Sequence, residues 1–361
     1  CPVLEVTIKF RKTWQVSDLK IVSHHALDDA LETLFAESLE TFSNKVWNKS
    51  RNMRTAKFDL AMLVNEHEAM PPSDAQALKK FIQAGKQLGI QVDMISPKDI
   101  MRLPEYDALF IRETTNIDHH TYQFAKKAEQ EGLVVMDDPQ SIMRCTNKVY
   151  LADLFATHKV PCPKTRIVHK GEKHLEDALE ALIDYPMVVK IPDGAFSRGV
   201  IKAKDRASLT ECLHTLFKKS SLLLVQEYLY TEFDWRIGML NNKPIYACRY
   251  FMVKDHWQIY QHNENSSDSG GFETIPTFEV PRRVLQAAIA ATKPIGDGLY
   301  GVDIKEINGR GYVIEVNDNP SIDRGVEDKY LGDELYMLIM AEFLRRMQAQ
   351  RSLHQSKGYI G

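Results

Sequence analysis

Between Lys57 and Asp138 short apolar runs alternate with helical patterns, and this limits the fold more than any other feature of the chain. The runs are FDLAMLV, QVDMIS, ALFIRE and LVVMDD, with one helix from Ser73, its expected N-cap, to Leu88 and another from Gln123 to Gln130. Strands separated by helices of this length predict a small parallel α/β domain that ends near Asp138. In open sheets ligands bind beyond the carboxyl ends of the strands, so Arg112 and Glu113, which close the ALFIRE run, are expected to face a crevice.

Before this region stand two β-like runs, VLEVTIKF and WQVSDLKIV, and the helical pattern ALDDALETLFAESLETFSNKVW. They look too small for a complete domain. After it come a helix from Lys148 to His158, the run PMVVKI, the loop PDGAFSRG, a strand VIKAK, the run LLLVQEYL, a helix VPRRVLQAAIAATKPIG, the hairpin GVDIKEINGRGYVIEVND and a helix from about Asp333. The patch NENSSDSGG at 263–271 reads as a flexible loop, and 261–271 is expected to order over bound ligands.

Composition excludes several classes of partner. With 46 basic and 49 acidic residues the chain has no broad cationic field, so nucleic acid is not expected. No apolar run is long enough for a membrane helix, and the opening CPVLEVTIKFRK reads as a strand and not a signal peptide. Five cysteines without a CxxC pair predict a reduced, cytoplasmic setting, and Cys1 lacks an identifiable base that would make it a nucleophile. These features are compatible with a homo-oligomer.

The hairpin carries the strongest chemical signal. Glu315 and Asn317 alternate on one face of an apolar strand and Asp303 lies on the strand before it, a set of hard oxygen ligands suited to magnesium. A two-residue turn at Gly309 and Arg310 would pair Asp303 with Val316 and turn it away, so the metal reading requires a longer loop or a bulge. Lys190 ends PMVVK just before a glycine-bearing loop, an arrangement that would present an ammonium to phosphates, with Lys148 upstream. Gly194 and Gly199 have P-loop spacing, but Val200 and Ile201 replace its Lys and Ser/Thr, which disfavours a Walker site. His24-His25 and His119-His120 lack further ligands in sequence, so surface or capping roles are the simpler reading, and Trp235 and Trp257 read as core.

The string NKVYLADLF, PMVVKIPDGAFSRGV, LLLVQEYL, FDWRIGML, YACRY, GVDI and IEVNDNPSID resembles the ATP-grasp ligases, and within them the RimK-like glutamate ligases, over roughly residues 57–350. FIRETT and DDPQSIMRCTNK are similar to members with an extra N-terminal domain, of which 1–55 would be a remnant. The resemblance implies two α+β lobes clamping ATP, preceded by a small parallel α/β domain. The expected bounds are 56–139 for that domain, 140–350 for the ATP-grasp domain with lobes near 160–226 and 227–350, and a tail at 351–361.

It further implies that Lys148 and Lys190 contact the α and β phosphates beneath the loop with Gly194, Ser197 and Gly199. Glu227, Tyr228 and Leu229 would meet adenine, Asp234 the ribose, and Arg236 and Arg249 the transferring phosphoryl group. Asp303, Glu315 and Asn317 would hold two magnesium ions, for which manganese can substitute. The implied activity is ADP-forming ligation of an amino acid, glutamate by resemblance, to a carboxylate on a peptide, protein or small molecule. The alternatives are a different dipeptide or conjugate ligase and a non-catalytic ATP-binding regulatory subunit. Asn319, Arg324 and Arg112 are the expected substrate contacts, the arginines because an acidic amino acid calls for a planar cationic fork.

Overall fold

A computed structural model describes residues 3–11, 13–22, 27–43, 56–193, 199–252, 260–263, 266–269 and 271–357. Cys1, His24, His25, Gly194, Ser197 and Trp257 lie outside them. The chain divides into two compact units, Cys1–Asn52 and Met53–Gly361. In the first, β1 (Val3–Arg11) and β2 (Thr13–Val22) form an antiparallel hairpin that is followed by α1 (Asp29–Ser43).

The second unit opens with the expected parallel sheet. Its elements are β3 (Phe58–Leu63), α2 (Ala75–Gln87), β4 (Ile90–Ile95), β5 (Ala108–Ile111), α3 (His120–Gln130) and β6 (Val134–Met136), with strand order β4-β3-β5-β6. The strands read as continuous apolar runs because helices cover both faces. Asp74, not Ser73, caps α2, its carboxylate accepting from the N–H groups of Gln76 and Ala77, while the Ser73 hydroxyl donates to Ile322 O. Two short helices follow, α4 (Pro139–Thr146), capped by Asp138, and α5 (Lys148–Thr157), capped by Asn147.

Next, β7 (Thr165–His169), α6 (Leu175–Glu180), β8 (Met187–Lys190), β9 (Val200–Ala203), α7 (Arg206–Leu216) and β10 (Leu222–Glu227) build a lobe around an antiparallel sheet ordered β7-β10-β8-β9. The last lobe holds β11 (Phe233–Leu240), β12 (Lys243–Phe251), β13 (Tyr260–Asn263), β14 (Ser266–Ser269), β15 (Phe272–Ile275), α8 (Arg282–Thr292), β16 (Leu299–Ile307), β17 (Arg310–Asp318) and α9 (Asp333–Lys357). Its main sheet is ordered β15-β12-β11-β16-β17. Where the sequence suggested a flexible loop, the described residues of 260–269 form the two-stranded β13-β14 ladder.

Apolar packing ties the parallel sheet to the last lobe. Phe81 of α2 meets Phe110 of β5 and Tyr336 of α9 with ring centroids 5.1 and 4.8 Å apart, and the same core contains Tyr246, Cys248 and Ile322. Each such buried ring contributes on the order of 2–3 kcal/mol, so the carboxyl ends of β3 and β5 are fixed against the strands that carry the acidic hairpin. On the other face of the five-stranded sheet, Trp235, Ile237 and Val302 pack with Val284, Ala288 and Ala291 of α8.

Two bulges set the side-chain faces of this sheet. The turn between β16 and β17 is the two-residue Asn308-Gly309, both with positive φ, closed by Ile307 opposite Arg310. Continued without interruption, that register would set Asp303 against Ile314. A shift between Asp303 and Ile304 instead places Asp303 opposite Glu315, so the two share a face, as the metal reading required. A second shift, between Gly238 and Met239, places Arg249 of β12 opposite Trp235.

Candidate active site

The two lobes and the end of the parallel sheet enclose a cleft of about 310 Å³, within the range of small-molecule sites. Its acidic wall is the β16-β17 face. Asp303, Glu315 and Asn317 all line it, and Asn317 Nδ2 donates to Asp303 Oδ2 at 3.1 Å. Arg236, opposite Asp303 on β11, grips that carboxylate with two donors, Nε on Oδ1 and Nη2 on Oδ2. Burial pushes the Asp303 carboxyl up despite this guanidinium. Gly301 keeps the wall open, since a Cβ there would come within 2.8 Å of Pro320 and 3.0 Å of the Arg236 side chain.

The facing wall is cationic. Lys148, the first residue of α5, reaches across to Glu315 with Nζ 2.8 Å from Oε1. Glu315 is half-buried, yet Lys148, Lys190 and Arg236 together hold its carboxyl below the usual range. Lys190, at the end of β8, donates to Gln226 Oε1 at 2.8 Å, and burial pushes its ammonium down to about 8. Gly199 follows with φ +73 and sits over Ile191, whose Cδ1 a Cβ would meet at 2.5 Å. Glycine is therefore required there, both by φ and by space.

Glu227, the last residue of β10, and Tyr228 and Leu229 just after it line the cleft. The N–H groups of Glu227 and Tyr228 already bond Lys164 O and Pro186 O. Asp234 Oδ1 accepts from Lys305 Nζ at 2.5 Å and from Thr231 Oγ1 at 2.9 Å. Lys305 was not anticipated, although its position two residues beyond Asp303 put it near the acidic face. Thr114, Thr115 and Asn116 also line the cleft, and Thr115 donates to Asp318 at 2.6 Å, whose carboxyl burial pushes up to about 7.

Three expected site residues lie elsewhere. Arg249 is on the α8 side of the sheet, where it pairs with Glu273 at 3.1 Å and stacks on Trp235, 4.7 Å from its ring centroid, so it is turned away from the cleft face that carries Arg236. Arg112 is 1% exposed and spends its donors on Ser73, Asn319, Pro72 O and Pro320 O. It braces the segment after β17 and does not reach the cleft. Asn319 lines the cleft, but its amide is engaged at both ends, accepting from Arg112 at 2.7 Å and donating to Glu113 O at 2.6 Å. Arg324 is exposed and bonded to Gln76 near the start of α2. Arg324→Ala is accordingly expected to change the preference among amino-acid substrates by less than about twofold, as surface pairs contribute little. Competition assays with paired amino acids would measure this.

The donor set on β16-β17 fits magnesium: two carboxylates and an amide on one face, with burial that makes charge neutralisation favourable. A family model described as the RimK-like ATP-grasp domain matches residues 145–341. The chain belongs to the RimK-like ATP-grasp family. Among similar curated proteins, the alpha-aminoadipate–LysW ligase LysX of Saccharolobus solfataricus is 29% identical over 67% of this chain and 88% of its own length. A Marinomonas protein named "Probable alpha-L-glutamate ligase" is 24% identical over 72% and 89%. The ATP-grasp fold recurs in the D-alanine–D-alanine ligase of Bacillus anthracis complexed with ATP, with TM-score 0.61, 17% identity and coverage of 82% of this chain and 100% of that one. It recurs also in an ATP-grasp RimK domain protein of Sphaerobacter thermophilus, with TM-score 0.58, 15% identity and coverage of 79% and 99%. The family match spans both lobes of the cleft, and the parallel sheet precedes it.

Proposed function

We propose that this RimK-like ATP-grasp protein is an ADP-forming carboxylate–amine ligase whose amine substrate is an acidic amino acid. The observation that carries the reading is the facing of two walls: Asp303, Glu315 and Asn317 with Arg236 on one side, Lys148 and Lys190 on the other. In this reading residues 56–139 form a domain ahead of the ATP-grasp core at 140–350.

A carboxylate is a poor electrophile. Its oxygen attacks the γ-phosphorus of ATP, the bond to the β-bridging oxygen breaks and ADP leaves, giving an acyl phosphate. The amine lone pair then attacks the acyl carbon, phosphate departs, and the amine proton is lost to solvent. Lys148 and Lys190 would hold the α and β phosphates, and Arg236 would stabilise charge on the moving phosphoryl group. Carbonyl groups of the 227–229 connection, together with Leu229, would meet the base, and Asp234 with Lys305 the ribose. Magnesium, held by Asp303, Glu315 and Asn317 as two ions and replaceable by manganese, would supply neutralisation of phosphate charge. No side-chain nucleophile is needed.

The substrate class rests on the relatives, whose names refer to aminoadipate and glutamate. Both are dicarboxylic amino acids, and glutamate is the expected one, joined to a carboxylate on a peptide, protein or small molecule. The cysteines described are all unpaired, in keeping with a reducing cytoplasm, and no helix among the described residues is long and apolar enough to cross a membrane. The test is ADP release measured across amino acids and carboxylate acceptors. Release that requires both an amino acid and an acceptor supports the ligase. Tight ATP binding without release under any pairing would favour a regulatory subunit.

A further inference from the structure

We propose that Glu113, His119 and His120, between the end of β5 and the start of α3, form a second cation site suited to a zinc-like divalent ion. The sequence offered two adjacent histidines without a third ligand. Folding of the β5-α3 loop supplies it: one ligand atom from each of the three side chains lies within 4.8 Å of the others. The Glu113 carboxylate is 1% exposed, and the basic groups within 4 Å of it, among the described residues, are the two imidazoles.

The hydrogen bonds around His119 suit the tautomer that a metal ligand needs. The Thr121 hydroxyl can donate to Thr114 O, 3.4 Å away, and accept from His119 Nδ1, 3.2 Å away. With the proton on Nδ1, Nε2 presents a lone pair. Nε2 lies 3.9 Å from Glu113 Oε1, beyond hydrogen-bond distance. A cation between the two would be held by both. A hydrogen bond on the outer ring nitrogen, as Thr121 provides, is also the usual device for orienting a metal-binding histidine.

The distances are close to those a metal needs. Zinc–nitrogen and zinc–oxygen bonds of about 2.0–2.2 Å at tetrahedral angles separate ligand atoms by roughly 3.3 Å. Glu113 Oε2 lies 2.8 Å from His120 Nε2, a hydrogen bond that metal binding would replace, and Oε1 lies 3.9 Å from His119 Nε2. Asn65 Nδ2 also donates to Glu113 Oε1, at 3.1 Å. The partial exposure of both rings, 41% and 27%, leaves the fourth position to water. Two imidazoles and one carboxylate favour zinc over magnesium, whose preference is for oxygen. A bound ion would pin the loop whose Thr114 to Asn116 line the nucleotide cleft.

The test is calorimetric titration of zinc into the chelator-stripped full chain, with magnesium in excess to saturate oxygen sites. One zinc is expected per chain, weakened about a hundredfold or more by His119→Ala, whose half-exposed ring can be removed without disturbing the core. Cobalt in place of zinc is expected to give the intense visible bands of a tetrahedral nitrogen–oxygen site, without a thiolate charge-transfer band. The Glu315→Gln variant is expected to keep the zinc. Affinity unchanged in His119→Ala, a thiolate band, or loss of the zinc from a variant lacking His24 and His25 would each overturn the assignment.

Discussion

Glu315→Gln is expected to lower turnover by about 10²–10³-fold while the protein stays folded. The substitution keeps the side chain's size and removes one charge from the acidic wall. In the ligand-free protein that charge neutralises Lys148, 2.8 Å away, and helps to hold Lys190. When magnesium and ATP enter, the same carboxylate is the donor best placed to take a cation, because Asp303 is already held by Arg236 through two bonds. Loss of the ion pair costs on the order of 1 kcal/mol at a side chain that is 26% exposed, so the melting temperature falls by only a few degrees. Nucleotide affinity is expected to change less than turnover, because the substitution leaves Lys148 and Lys190 in place on the facing wall. The magnesium concentration for half-maximal activity is expected to rise. Turnover within tenfold of the unaltered protein, measured at saturating magnesium, would sink the assignment of Glu315 as a metal ligand.

The same residues mark what the sequence made legible and what it did not. Alternation of apolar runs with helices predicted the parallel sheet because each strand is buried on both faces and each helix on one, which leaves a periodic trace. The faces of the antiparallel sheet leave a weaker one. The turn at Asn241-Asn242, without a bulge, would have paired Arg249 with Asp234 and given it the same face as Arg236. The shift between Gly238 and Met239 instead turns it toward Trp235. Gly238 accommodates this, because a Cβ there would lie 2.1 Å from the Tyr246 ring. The bulge opposite Asp303 acts in the reverse sense and brings that carboxylate into the site. Bulges of this kind follow from packing against other elements and are set over one or two residues, so no local pattern announces them. Arg324 failed for a different reason. Nearness in sequence to the metal strand placed it at the cleft, but Ile322 bonds Pro72 O and turns the chain toward α2. Glu113 and its two histidines were missed because their proximity depends on how the eight-residue connection from β5 to α3 folds.

Nucleotide affinity is expected to fall about tenfold per pH unit above pH 8, through Lys190. Burial pushes this ammonium down to about 8 from an ordinary value of 10.5. Phosphate binding restores the charge, so the bound form keeps its proton to higher pH than the free form. Between the two values, binding must take up one proton, and the logarithm of the dissociation constant rises with unit slope. The sign for folding is the opposite. Below about 8 both folded and unfolded chains carry the charge, and the folded state bears the full cost of burying it. From about 8 to 10.5 the unfolded chain binds more proton, so the contribution of this group makes the ligand-free protein more stable as pH rises. Lys190→Met is expected to weaken nucleotide binding by about 1.5–3 kcal/mol near neutrality, the range for a hydrogen bond to a charged group, and to abolish the alkaline slope. Lys190→Arg, which stays charged throughout, would also flatten the slope, with affinity set by how well the planar fork fits beside Gln226. Fluorescence titrations of a nucleotide analogue between pH 6 and 10 separate these cases, since the Met variant reports the ligand's own pH dependence. An equal alkaline slope in the unaltered protein and in Lys190→Met would show that another group takes up the proton.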